Sequence, residues 1–164
     1  MTSQMTKISL DTEFLDDGRR VEPVSLALDS QTTAEYYAVC ADSDITQITG
    51  HPWLRAHVIP HLPITVSPAG WRWDTTHPDY PNVKPRARIA SEIQAFLARQ
   101  PDPENMGLVP PFDTVVLCQL FGPMSALPAE VPAFTRDLLG RDRRPGPGPP
   151  QARPRQDTRA DRRA

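Results

Sequence analysis

The chain has 164 residues, 38% hydrophobic and 23% charged, with a formal net charge of −2. That suffices for one domain with a buried core, and no apolar run is long enough to span a membrane. Met1 to Lys7 is polar, so no secretory signal is expected, and Cys40 and Cys118 read as buried thiols of a reducing cytoplasm. The average conceals a break. Residues 1–139 hold 10 Lys/Arg against 17 Asp/Glu, a net of −7; residues 140–164 hold 8 Arg against 3 Asp, a net of +5. The tail contains Arg144-Pro-Gly-Pro-Gly-Pro-Pro150 and nothing apolar larger than Ala, so 140–164 is expected to be a disordered Arg/Pro/Gly-rich tail behind a folded 1–139.

Residues 8–14 alternate apolar and polar, as a half-buried strand does, and Asp16-Asp17-Gly18 signals a turn into a second strand over 21–28. A third strand fits 35–40, and short turns between the three predict an antiparallel meander. Pro52 and Pro60 break 44–62 into short helical pieces, and the proline-rich 63–83 reads as a long loop carrying Trp71 and Trp73. Ile89, Ile93, Phe96 and Leu97 form one stripe, predicting a helix over about 86–99. A second helix fits 112–121, stopped by Gly122-Pro123, and a third is expected from Pro132. Strands first and helices after point to an α+β fold or an α/β fold with a mixed sheet.

Asp11 and Glu13 stand two apart on the first strand, so both carboxylates share a face beside Ile8, Leu10 and Phe14. Like charges beside a core need a compensating cation, which would make the pair a site for Mg²⁺ or Mn²⁺; an acidic solvent face is the plainer reading. Asp113, early in a predicted helix, is either ordinary helix-start chemistry or a third carboxylate of the same site. His57 and His61, four apart around Pro60, read as packed or solvated side chains. Trp71 and Trp73 could stack on bases or pack onto the domain.

Several strings carry a resemblance: Asp11-Thr12-Glu13-Phe14-Leu15, Glu35-Tyr36-Tyr37-Ala38-Val39, Phe112-Asp113 followed by Leu117-Cys118-Gln119-Leu120-Phe121-Gly122-Pro123-Met124, and Phe134-Thr135-Arg136. Over roughly residues 7–139 the chain resembles the small bacterial polyadenylate-specific 3′–5′ exoribonucleases, a branch of the ribonuclease-H-like DEDDh exonucleases. The resemblance implies an α/β fold with a mixed sheet and flanking helices. It implies two Mg²⁺ (or Mn²⁺) ions about 3.5–4 Å apart that polarise a phosphodiester and activate water. Asp11, Glu13 and Asp113 match the metal-ligating, catalytic acids, and Phe14 matches a residue lying against terminal bases. Thr12 and Arg136 are further substrate-binding candidates, with Arg72 and Arg86 as possible phosphate contacts. The substrate would be the 3′ end of single-stranded RNA, with no membrane partner, and a homodimer is left open. A DNA-acting exonuclease and a catalytically impaired nucleic-acid-binding remnant are the alternatives.

The family ends in a helix with the pattern His-x-Ala-Leu-x-Asp-Ala, which supplies a general base and a fourth acid. This chain has no histidine after His77, so that helix is expected to be lost. Back-translating Gln156 to Ala164 and reading one base later allows Lys-Thr-His-Ala-Leu-Thr-Asp-Ala. The same shift through Met106-Gly107 forces a tryptophan where the family has Trp-Ala-Trp. We read both departures as insertions or deletions in the gene and expect a weakened strand around 104–109, lying near the first.

Overall fold

In the computed structural model, which describes residues 5–107, 110–133 and 135–137, the chain opens with the meander. Strands β1 (Thr6–Asp16), β2 (Val21–Ser30) and β3 (Glu35–Cys40) pair antiparallel in sequence order. The β1–β2 ladder shifts register between Glu13 and Phe14, where Val24 is the extra residue of a bulge. Two short helices follow, α1 (Ile45–Gly50) and α2 (Pro52–His57), and then a 3₁₀ turn, Ile59–His61. Asp44 caps α1 by accepting from the Gln47 amide, and His51 Nδ1 accepts from the Leu54 amide to start α2.

The stretch expected to be a loop is not one throughout. It holds a separate two-stranded hairpin, β4 (Ile64–Ser67) and β5 (Gly70–Trp73), then β6 (Val83–Lys84) beside β3. The prolines at 63 and 68 sit outside these strands, and Gly70, at φ 121°, takes the left-handed turn position. Trp71 and Trp73 pack edge to face, 5.5 Å between centroids, and the Trp71 indole donates to Thr46. Both lean on the core.

Helix α3 (Arg86–Ala98) carries the chain back across the sheet, so that β7 (Pro103–Gly107) pairs parallel with β1. Helix α4 (Pro110–Gln119) follows. The helix expected from Pro132 does not form there: β8 (Thr135–Asp137) adds a parallel edge strand to β7, because ladder pairing satisfies this backbone. The result is an α/β fold with a mixed six-stranded sheet, ordered β6-β3-β2-β1-β7-β8, and flanking helices.

Each face of the sheet has its own core. Ile8, Leu10, Leu26 and Leu28 bury against Ile89, Ile93 and Leu97 of α3 and Leu117 of α4. Leu15, Val24 and Val39 bury on the other face against Ile45, Ile48, Leu54 and Leu62. Cys40 and Cys118 are free, buried thiols, and burial raises the pKa of both.

The strand expected to be weak, β7, is paired on both sides, with Glu104 to Gly107 buried. It carries one misfit. Asn105 is fully buried beside Ile8, and neither its amide nitrogen nor its oxygen has a hydrogen-bond partner. The tail 140–164, with its proposed frame shift, lies outside the described residues. Among the described residues no helix is long and apolar enough to cross a membrane.

Candidate active site

Alternation along β1 sends Ile8, Leu10 and Thr12 to the α3–α4 side, and Asp11, Glu13 and Leu15 to the α1–α2 side. Asp11 is exposed and Glu13 half-buried. Both open onto a cavity of about 270 Å³ whose polar walls are Ser25, Tyr37, His57 and His61. Burial raises the Glu13 pKa first; the negative charges of Asp11 and Asp113 raise it further, against a smaller opposing effect of His61.

Asp113 comes to β1 from the opposite side. It sits in the first turn of α4, almost fully buried, and its Oδ1 accepts a 2.7 Å hydrogen bond from the Thr12 hydroxyl. Its Oδ2 lies over Gly107 of β7, where a Cβ would approach it to 3.1 Å. A glycine leaves the room this carboxylate occupies. The three acids therefore gather around one strand, inside one another's electrostatic field. Among the described residues, however, no three His, Cys, Asp or Glu side chains stand close enough together to hold a metal ion.

The donor set still fits a hard divalent cation in kind. All three side chains offer only carboxylate oxygens, and the like-charge field on Glu13 is what such a cation would relieve.

The remaining sequence candidates divide. Phe14 lies where a base could meet it, stacked on Phe112 with centroids 5.3 Å apart and rings 16° from parallel. Thr12 is not open to substrate through its side chain: it is buried, and its hydroxyl holds Asp113. Arg136 is half exposed but forms an ion pair with buried Glu104. Arg86 is likewise paired with Glu22. Arg72 stands exposed on β5.

Two residues that sequence reasoning set aside belong to the site. His57 and His61 end α2 and the following 3₁₀ turn, and both line the cavity of Asp11 and Glu13. The only signal was their spacing, and Pro60 between them obscured it. His57 also packs against Trp53, which is 56% exposed, with centroids 5.0 Å apart and the rings tilted by 39°.

A mixed six-stranded sheet with its first strand inside it and flanking helices is consistent with a ribonuclease-H-like exonuclease fold. No protein-family model matches the chain. It is similar to two curated Mycobacterium tuberculosis proteins: the 3′-5′ exoribonuclease MT2234.1 of strain CDC 1551 / Oshkosh and the 3′-5′ exoribonuclease Rv2179c of strain ATCC 25618 / H37Rv. Each is 37% identical over 158 residues, covering 93% of this chain and 84% of the relative. The chain belongs to this 3′-5′ exoribonuclease family, a family of hydrolases. The similarity reaches beyond residues 7–139, where the distinguishing strings lie.

Proposed function

We propose that the protein trims single-stranded RNA from its 3′ end by metal-dependent hydrolysis of the DEDDh type, releasing nucleoside monophosphates, with polyadenylate as the preferred substrate. The observation that carries this reading is the opening of Asp11 and Glu13 onto one cavity, with Asp113 charging the same strand from behind. The relatives' names support RNA as substrate and the 3′ end as the starting point. The polyadenylate preference rests on the family strings around Asp11 and Leu117.

Asp11, Glu13 and Asp113 would hold two Mg²⁺ or Mn²⁺ ions. When bound, these supply Lewis-acid polarisation of the scissile phosphate and charge neutralisation of the departing 3′-oxygen. The chain's own groups do the rest. Phe14, backed by Phe112, gives the terminal base an apolar face. The Thr12 hydroxyl fixes Asp113 and so positions the third acid. His57 and His61 bring imidazole nitrogens to the cavity, where water attacks phosphorus, the P–O3′ bond breaks and the water's proton needs an acceptor.

The test is monophosphate release from an oligoadenylate by the full chain, with Mg²⁺, with EDTA, and with Asp11→Asn or Asp113→Asn. Metal-dependent release that falls at least about 10²-fold in either variant supports the reading. Release unaffected by EDTA or by both variants would sink it. A second reading, a catalytically impaired RNA-binding remnant, is favoured by one observation: among the described residues the three acids do not stand at metal-ligating spacing. Binding of the oligoadenylate without release, in folded protein with Mg²⁺, would establish it.

A further inference from the structure

A second groove opens beyond the Phe14–Phe112 stack, between the β1–β2 turn and the outer face of α4. It is shallow, with a volume of about 350 Å³, and is lined by Asp16, Arg19, Arg20, Phe112, Val115 and Gln119 among others. Two features set it apart from ordinary surface. Phe112 and Val115, one helical turn apart on α4, are 39% and 40% exposed, among the few large apolar side chains so open in the described residues. The turn opposite is also held rigid. Asp17 Oδ1 accepts from the backbone amides of both Arg19 and Arg20, Asp16 accepts from the Gly18 amide, and Gly18 takes φ 78°. Asp17 also pairs with Arg20 at 3.4 Å. The turn thus uses its acid on Arg20 and its own backbone, and presents the exposed Arg19 at the groove with no ion pair among the described residues.

We propose that this groove is a second RNA subsite, which takes the nucleotide upstream of the one being removed. The base lies on Phe112 and Val115, and its phosphate meets Arg19. Continuity and chemistry commit the groove to this occupant. Phe112 is shared: one ring face lies against Phe14 and the ring also lines the groove, while Glu13, Phe14 and Asp16 border one further pocket between the carboxylate cavity and the groove. An apolar, aromatic platform with an unpaired guanidinium at its edge is the combination that holds single-stranded nucleic acid. The body of the protein is acidic, net −7 over residues 1–139, so long-range attraction cannot hold RNA and local contacts must. The subsite rests on the exonuclease reading above and adds a length preference to it: substrates of two or more nucleotides bind better than the mononucleotide.

The test is fluorescence anisotropy of the full chain with phosphorothioate-linked oligoadenylates, which resist cleavage, in Mg²⁺. A 5′-labelled hexamer is titrated directly and adenosine 5′-monophosphate, which fills the terminal position alone, is measured by competition. Native protein is expected to bind the hexamer at least about tenfold more tightly, the worth of one stacked base. Arg19→Ala and Val115→Glu, both at exposed positions, should remove most of that difference and leave mononucleotide affinity unchanged. Arg19→Lys should keep part of it. Arg19→Ala should also flatten the slope of log affinity against log salt by about 0.7 for the hexamer, the signature of one lost phosphate contact that a merely structural role would not give. Equal affinity for the two lengths, or an equal loss for both in the variants, overturns the subsite and leaves the active-site reading standing. Failure of native protein to bind either length overturns both.

Discussion

Gly107→Ala tests the placement of the third acid most directly. The glycine has no left-handed backbone requirement, so its one structural duty is the absence of a side chain. A Cβ would meet Asp113 Oδ2 and Thr135 Cγ2, each at 3.1 Å, and the Leu10 carbonyl at 3.6 Å. Crowding of this kind costs about 1–3 kcal/mol, while replacing glycine stiffens the unfolded chain and returns about 0.4–1 kcal/mol. The expected net is a loss of about 1–2 kcal/mol, read by urea unfolding. The functional effect is larger in proportion. With Oδ1 held by Thr12, the carboxylate relieves the contact by rotating or shifting a few tenths of an ångström. Misplacement by about 1 Å costs on the order of 10²-fold in rate, so kcat/KM for oligoadenylate trimming should fall about three- to tenfold. Adding Thr135→Ser removes the Cγ2 contact on the edge strand, and should recover stability without recovering rate. If Gly107→Ala is stabilised and keeps full activity, Asp113 is either not seated over Gly107 or not needed.

Asn105→Leu keeps the side chain's branching and removes a fully buried amide with no partners, a gain of about 1–3 kcal/mol set against crowding by its bulkier methyls; thermal unfolding should show a net rise in stability, and a loss as large in the smaller Asn105→Val would mean that the amide is satisfied. Glu92 is held at a pKa of about 2 by hydrogen bonds from Lys84 and Arg88, well below its usual 4.5. A depressed carboxylate adds stability above its unfolded pKa and loses it as pH falls through the folded one. The stability gap between native protein and Glu92→Gln should therefore be full above about pH 5 and close towards pH 2. Replacing residues 140–164 by the one-base-shifted translation should raise monophosphate release at least about 10²-fold, by adding a general base and a fourth acid; equal rates would show that the described fold needs neither.

Much of the candidate site's placement on the chain was legible before any fold was known, because it depends on local rules. Period-two alternation on β1 put Asp11 and Glu13 on one face and Ile8, Leu10 and Thr12 on the other without reference to anything distant. The 3.6-residue stripe from Ile89 to Leu97 gave α3 and its buried face for the same reason. Short turns gave the meander.

Only tertiary structure decided what depends on partners far along the chain. The β4–β5 hairpin was hidden because prolines at 63 and 68 flank strands too short to show alternation. Thr135 to Asp137 became a strand through pairing with β7, which no local pattern announces. Thr12 read as a substrate contact until Asp113 arrived from 101 residues away to take its hydroxyl. Arg136, read as a phosphate contact, has its guanidinium paired with Glu104 while the side chain stays half exposed. His57 and His61 joined the carboxylates because the second core draws Val58, Ile59 and Leu62 against β2 and β3, carrying the imidazoles to the cavity rim. Backbone periodicity is set by covalent geometry and is written in neighbouring residues. The company a side chain keeps is set by which apolar surfaces bury together, and that is settled only when the whole chain has folded.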